Sequence, residues 1–153
     1  MKLHNDLREF VALFLSRGVE FVVVGGHAVA YHGYPRLTED LDLLIRPTRE
    51  NAERILQVLA EFGFQSIPLT VEDFEAEDRV IQLGRAPNRI DLLTRLYGVS
   101  ADEVFRDRIS ATLDGLEVGM ISKHALIRNK RATGRTQDLA DAERLETTDG
   151  TKA

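Results

Sequence analysis

Two aspartates stand one residue apart in the run Thr38-Glu39-Asp40-Leu41-Asp42-Leu43-Leu44-Ile45. In a strand, residues i and i+2 project from one face, and two carboxylates placed that way can share a divalent cation. A third acid, Asp91, interrupts another apolar run, Ile90-Asp91-Leu92-Leu93. A carboxylate is costly to bury without a partner, so three acids directed into one sheet region imply a cation or a base between them. Upstream, Phe21-Val22-Val23-Val24-Gly25-Gly26 ends an apolar strand on a glycine pair. Main-chain N–H groups left unscreened there, at the start of a helix, suit a phosphate. The set reads as a metal site beside a phosphate-holding turn.

Each part also has a plainer explanation. Glycines occur wherever a strand-to-helix turn needs a positive φ, Asp40 can cap a turn, Asp42 can face solvent, and Asp91 can pair with Arg89 or Arg95 at a sheet edge. The dinucleotide fingerprint is not present. Gly25-Gly26-His27-Ala28-Val29-Ala30 lacks the G-x-G-x-x-G spacing, and the acids come at the start of the next strand rather than at its far end.

The elements that must position these residues follow from periodicity and punctuation. Leu7, Phe10, Val11, Phe14 and Leu15 recur at helical spacing, with Gly18 as the stop. A buried strand over 19–24 is followed by a short helix over 27–31, broken by Gly33, Tyr34 and Pro35, and a second strand over 41–45. Thr48 caps a helix running to Phe62, with Gly63 as its stop, and a third strand is expected over 64–67. Residues 70–78 read as a loop or short helix. Residues 79–83 and 89–93 form a hairpin, Ser100 caps a helix over 101–106, and Asp114-Gly115 marks a second hairpin. Ser122 caps a helix over 123–133, Gly134 interrupts it, and a last helix spans 136–145. The expected fold is α/β or α+β, a mixed sheet of about five strands flanked by helices and finished by a helical pair. A single domain over 1–146 and a disordered polar tail over 147–153 complete it.

Composition narrows the chemistry. Of 153 residues, 43% are hydrophobic and 29% charged, as in an ordinary globular protein, and the absence of Cys excludes disulfides, thiolate metal sites and a cysteine nucleophile. Any metal must therefore be hard. No run approaches the roughly 20 apolar residues of a membrane span, and the start of the chain lacks a signal peptide's apolar stretch, so a cytoplasmic protein is expected. The net charge of −5 argues against general adhesion to nucleic acid.

Gly25-Gly26, thirteen intervening residues, Asp40-Leu41-Asp42 and the later Asp91 resemble the pattern of the nucleotidyltransferase superfamily with the polymerase-beta-like fold. The stretch from Val24 to Gly33, Arg36 to Asp42, and the closing run from Leu126 to Asp141 are most similar to small prokaryotic members related to abortive-infection toxin nucleotidyltransferases. The resemblance spans about residues 19–145. It implies transfer of a nucleoside monophosphate from a nucleoside triphosphate to a hydroxyl on a small molecule, protein or RNA. Mg²⁺ or Mn²⁺ would be held by Asp40, Asp42 and Asp91, the catalytic acids. The alternative is a catalytically inactive nucleotide-binding or toxin–antitoxin interaction protein, since inactive members exist. With little room for an acceptor-binding domain, a homodimer or partner protein is expected.

The resemblance also bears on lesser candidates. Gly25 and Gly26 would bind the triphosphate through main-chain N–H groups; Gly26 replaces the Ser of a Gly-Ser variant and is expected to need a positive φ. Arg36 meets phosphate or makes a surface ion pair, and Thr38 orients Asp40 or caps a turn. Lys123, Arg128, Lys130, Arg131 and Arg135 cannot all share one helix face, so a solvated surface with ion pairs to Asp138 and Asp141 is the ordinary expectation. In the functional reading, Lys123 or Lys130 reaches the triphosphate and Arg135 with Asp138 organises the pocket wall. His27 and His32 read as structural rather than metal-ligating.

Overall fold

The fold is described from a computed structural model covering residues 3–33, 38, 40–64, 67–85 and 88–147. Leu7, Phe10, Val11 and Phe14 form the buried face of α1 (Asn5–Ser16). All four residues of β1 (Phe21–Val24) are buried, and α2 (Gly25–His32) begins on the next residue. After β2 (Leu41–Ile45), Thr48 accepts a hydrogen bond from the Asn51 N–H to cap α3 (Arg49–Phe62), and Gly63 ends it in the left-handed region at φ 101°. The short α4 (Val71–Glu75) precedes the hairpin of β3 (Val80–Leu83) and β4 (Ile90–Leu93). Ser100 and Ser122 cap α5 (Ala101–Asp107) and α6 (Lys123–Thr133) as their positions predict. Between those helices lies the hairpin of β5 (Ile109–Leu113) and β6 (Leu116–Met120), and α7 (Thr136–Thr147) closes the fold.

The strands form one mixed sheet in the order β3-β4-β2-β1-β6-β5. Among the described residues it has six strands rather than about five, because the β5–β6 hairpin docks parallel to β1 through Val23 and Met120 and extends the same sheet. Phe64 and Ile67 belong to no strand, contrary to expectation; residues 65 and 66 lie outside the described set. The Phe64 N–H is taken by the Leu59 carbonyl at 2.7 Å, closing the end of α3, and its ring stacks on Phe62 at 5.8 Å. A main-chain donor used to finish a helix is lost to a sheet ladder. The core is built from Phe10 and Phe14 of α1, the apolar residues of β1 and β2 and Ile55 of α3, all buried.

Asn51 ties α3 to both central strands. Its carboxamide accepts from Glu20 N at 2.7 Å and donates to Glu20 O at 2.9 Å and Arg46 O at 3.0 Å. It is 1% exposed. Asn51→Ala leaves three main-chain groups without these partners, and urea denaturation is expected to show a loss of about 2–4 kcal/mol.

Candidate active site

Strands β2 and β4 run parallel and in register, Leu41 opposite Ile90 and Asp42 opposite Asp91. Residues in register on adjacent strands share a sheet face, so Asp42 and Asp91 confront each other across one strand spacing of about 4.8 Å. Asp91 is 8% exposed. Burial first, then the charge and hydrogen bond of Asp91, then the charge of Asp40, push Asp42 up to about 7, against a smaller opposing influence from Lys130. Two carboxylates in one desolvated place do not ionise together in the absence of a cation.

Asp40 sits just before β2 and turns its carboxylate to Arg89, whose Nη2 donates to Asp40 Oδ2 at 2.7 Å. The same guanidinium donates to Asp91 Oδ2 at 3.3 Å and brings Nε to 3.1 Å from Asp91 Oδ1. That last approach is an ion pair whose angle falls short of a hydrogen bond, which leaves Asp91 Oδ1 and Arg89 Nε without hydrogen-bond partners. Among the described residues, no three His, Cys, Asp or Glu side chains are gathered closely enough to enclose a metal ion. The three acids share a region, with an arginine among them.

Two side chains hold the Asp40 main chain. The Thr38 hydroxyl donates to the Asp40 carbonyl at 3.4 Å, and the buried His27 ring hydrogen-bonds the same carbonyl. Burial lowers the pKa of His27, so its ring is neutral and one nitrogen can donate to that carbonyl. His32 is likewise buried, with Nε2 2.7 Å from the Ile121 carbonyl. Both rings thus lie against main-chain carbonyls, of Asp40 and Ile121.

The glycine turn meets the acids more closely than the sequence indicates. Gly25, not Gly26, has the positive φ, at 68°. A β-carbon on Gly25 would lie 2.1 Å from Asp42 Oδ2 and 2.8 Å from its Cγ. Gly26 lies within the first turn of α2, whose initial N–H groups receive no side-chain cap from Val24. An uncapped helix start thus abuts the Asp42 carboxylate.

The remaining candidates separate. Arg36 falls outside the described residues. Lys130 is buried, with Nζ 3.2 Å from Asp138 Oδ1 and 3.5 Å from Asp141 Oδ2, so its ammonium is engaged by α7. It is nevertheless the cation felt at Asp42, whereas the charge of Lys123, at the start of α6, is felt at His32. Asp138 is held below the usual carboxylate range: burial opposes its charge, but donors from Thr133 at 2.7 Å and Arg135 at 2.8 Å, with Lys130, outweigh it. The expected Arg135–Asp138 pair is therefore present at the start of α7, while Lys130 and Thr133 hold the same carboxylate from α6 and so join the two helices. Arg89, which the sequence offered only as an ordinary ion-pair partner of Asp91, makes that pair and also reaches Asp40; Arg89-Ile90-Asp91 has the i, i+2 spacing that puts a cation and an acid on one strand face.

Solved structures share this architecture. The lincosamide antibiotic adenylyltransferase LnuA, in a lincomycin-bound crystal structure, is similar with a TM-score of 0.58 and 13% identity over 95% of this chain and 98% of that one. The antibiotic-resistance factor ANT(2'')-Ia matches with a TM-score of 0.60 and 13% identity, over 92% and 80% of the two chains. The protein TM1012 from Thermotoga maritima gives 0.58 and 17% identity, over 92% and 88%. At such identities the likeness establishes the nucleotidyltransferase fold. No curated protein matches the chain significantly. Residues 3–150 match the family described as "Nucleotidyl transferase of unknown function (DUF2204)", and the chain belongs to that family.

Proposed function

We propose that the chain moves a nucleoside monophosphate from a nucleoside triphosphate to a hydroxyl acceptor, with Asp40, Asp42 and Asp91 as the metal-binding acids. The observation that carries this reading is the in-register confrontation of Asp42 and Asp91 beside the uncapped start of α2. Such a donor set, all oxygen and partly desolvated, fits Mg²⁺ or Mn²⁺. When bound, the ion offsets the charge gathered around the α-phosphorus and makes the acceptor hydroxyl easier to deprotonate.

The residues divide the remaining work. The N–H groups of Gly25, Gly26 and His27 receive phosphate oxygens at the positive end of α2. Asp91 draws the acceptor hydroxyl into line and takes its proton. The acceptor oxygen then bonds to the α-phosphorus, the bond from that phosphorus to the bridging oxygen breaks, and pyrophosphate leaves. Thr38 and His27 fix the Asp40 backbone, and Lys130 adds positive potential behind Asp42. Arg36 and Lys123 are proposed as further phosphate contacts.

A small hydroxylated molecule is the acceptor to test first, because this chain and the lincosamide adenylyltransferase cover one another almost end to end. A second copy or a partner protein would complete its binding surface. Among the described residues no helix is long and apolar enough to cross a membrane, and the reading suits a cytoplasmic protein with ready access to triphosphates. Incubation of the pure protein with each α-labelled triphosphate, Mg²⁺ or Mn²⁺ and a lysate should place label on one acceptor class. Label transfer that is absent with every triphosphate, or unchanged in Asp91→Asn, would refute the reading.

A further inference from the structure

We propose that Arg89 is an internal counter-ion that occupies the cation position in the metal-free protein and must swing out before a divalent ion can bind. This inference rests on the reading of the three aspartates as metal ligands and adds a residue that the reading does not require. The guanidinium reaches Asp40 Oδ2 at 2.7 Å and both oxygens of Asp91, at 3.3 and 3.1 Å, so it bridges two of the three acids. A divalent ion held by those carboxylates needs the same oxygens, and two cations do not share them without strong repulsion.

Three further observations separate an occupant from an ordinary structural ion pair. First, the guanidinium is shared between two acids, its shortest contact, 2.7 Å, going to Asp40 and its approaches to Asp91 lying at 3.1 and 3.3 Å, so neither carboxylate holds it alone. Second, the side chain of Arg89 is 34% exposed and that of Asp40 is 35%, whereas Asp91 is 12%. Arg89 and Asp40 thus have a path to solvent, while Asp91 stays in place. Third, the Arg89 main chain is fixed, its carbonyl accepting from Leu41 N at 3.0 Å at the start of the β2–β4 ladder. Exchange therefore takes only a side-chain rotation.

The arrangement has two consequences. The arginine offsets clustered carboxylate charge while the site has no ion, stabilising the empty fold. It also raises the threshold for metal binding, so a free ion competes poorly and an ion arriving with a triphosphate competes better. Once displaced, Arg89 remains at the rim of the site as a cation facing the phosphates.

The test uses Mn²⁺ alone, without nucleotide, titrated into the 153-residue chain and followed by the electron paramagnetic resonance of the free ion. Arg89→Gln should bind Mn²⁺ about tenfold more tightly than wild type, and should melt at a lower temperature in chelator but gain more from saturating Mn²⁺. Arg89→Lys, compact and unable to fork, should fall between them. Arg79→Gln, which removes a cation paired to Asp73 elsewhere, should leave the affinity near wild type. Equal or weaker Mn²⁺ binding by Arg89→Gln would overturn the proposal. Wild type itself provides a measurement independent of any variant's folding: Mn²⁺ should increase labelling of Arg89 by an arginine-specific dicarbonyl reagent, read by peptide mass spectrometry, and unchanged or reduced labelling would overturn it. Failure of the metal reading looks different, with no Mn²⁺ bound by wild type or either Arg89 variant even when a triphosphate is added.

Discussion

Asp42→Asn is expected to abolish Mg²⁺-dependent triphosphate binding while leaving the metal-free fold as stable as wild type or more so. Asp42 faces Asp91 at the centre of the proposed site, and an amide there keeps the shape but removes the charge that holds a hard cation. Calorimetry with a non-hydrolysable triphosphate measures the loss. Wild-type affinity in the variant would show that Asp42 is not a ligand. The stability half of the prediction has a definite pH dependence. Burial and Asp91 raise Asp42 to about 7 in the folded protein, above the roughly 3.9 of an unfolded aspartate. The folded state therefore holds a proton that the unfolded state releases, and that contribution is complete below about pH 4 and is lost as pH rises through the folded value. Asp42→Asn does not share this loss. Its advantage in metal-free buffer should grow between pH 4 and 7, level off above, and reach about 1–3 kcal/mol. Saturating Mg²⁺ should cancel the gap by stabilising wild type alone. Parallel melting curves of the two proteins across that range, without metal, would contradict the assignment.

Gly25→Ala should be the most damaging single methyl that can be added to the chain near the site. The residue combines φ 68° with a would-be β-carbon 2.1 Å from Asp42 Oδ2. The left-handed conformation costs alanine about 1–2 kcal/mol, and relief of the overlap must displace either the Asp42 carboxylate or the start of α2. Both are proposed ligands, one of metal and the other of phosphate. The expected result is a loss of about 2–4 kcal/mol of stability together with triphosphate affinity. Gly26→Ser is the contrasting change: position 26 lies in helical backbone without a positive φ, and the added hydroxyl can donate to a phosphate oxygen. It should preserve or strengthen binding. Wild-type affinity in both variants would mean that the turn is structural and the phosphates sit elsewhere.

Much of the scaffold is legible in local residues. Thr48, Ser100 and Ser122 cap the helices that their positions announce, and Gly63 and Gly134 end two of them in the left-handed region. These signals act within a few residues, so the sequence carries them directly. Residues 64–67 misled for the complementary reason. Phe64-Gln65-Ser66-Ile67 has a strand's apolar ends, yet the Phe64 N–H is captured by the turn that closes α3.

For the site, the sequence by itself determined which groups are available: two aspartates at the strand period, a third acid in a separate apolar run, a glycine turn, and no thiol. It also placed Asp40 and Asp42 near one another, since a two-residue spacing is a short-range property. Only the tertiary structure decided that Asp91 confronts Asp42, because strand order and register are settled by packing across the whole sheet. The same packing put the positive φ at Gly25 rather than Gly26 and brought the Asp40 carboxylate onto the guanidinium of Arg89. Both depend on which distant charge or backbone lies within a few ångströms, where Coulomb and steric energies are largest, and spacing along the chain carries no record of that proximity.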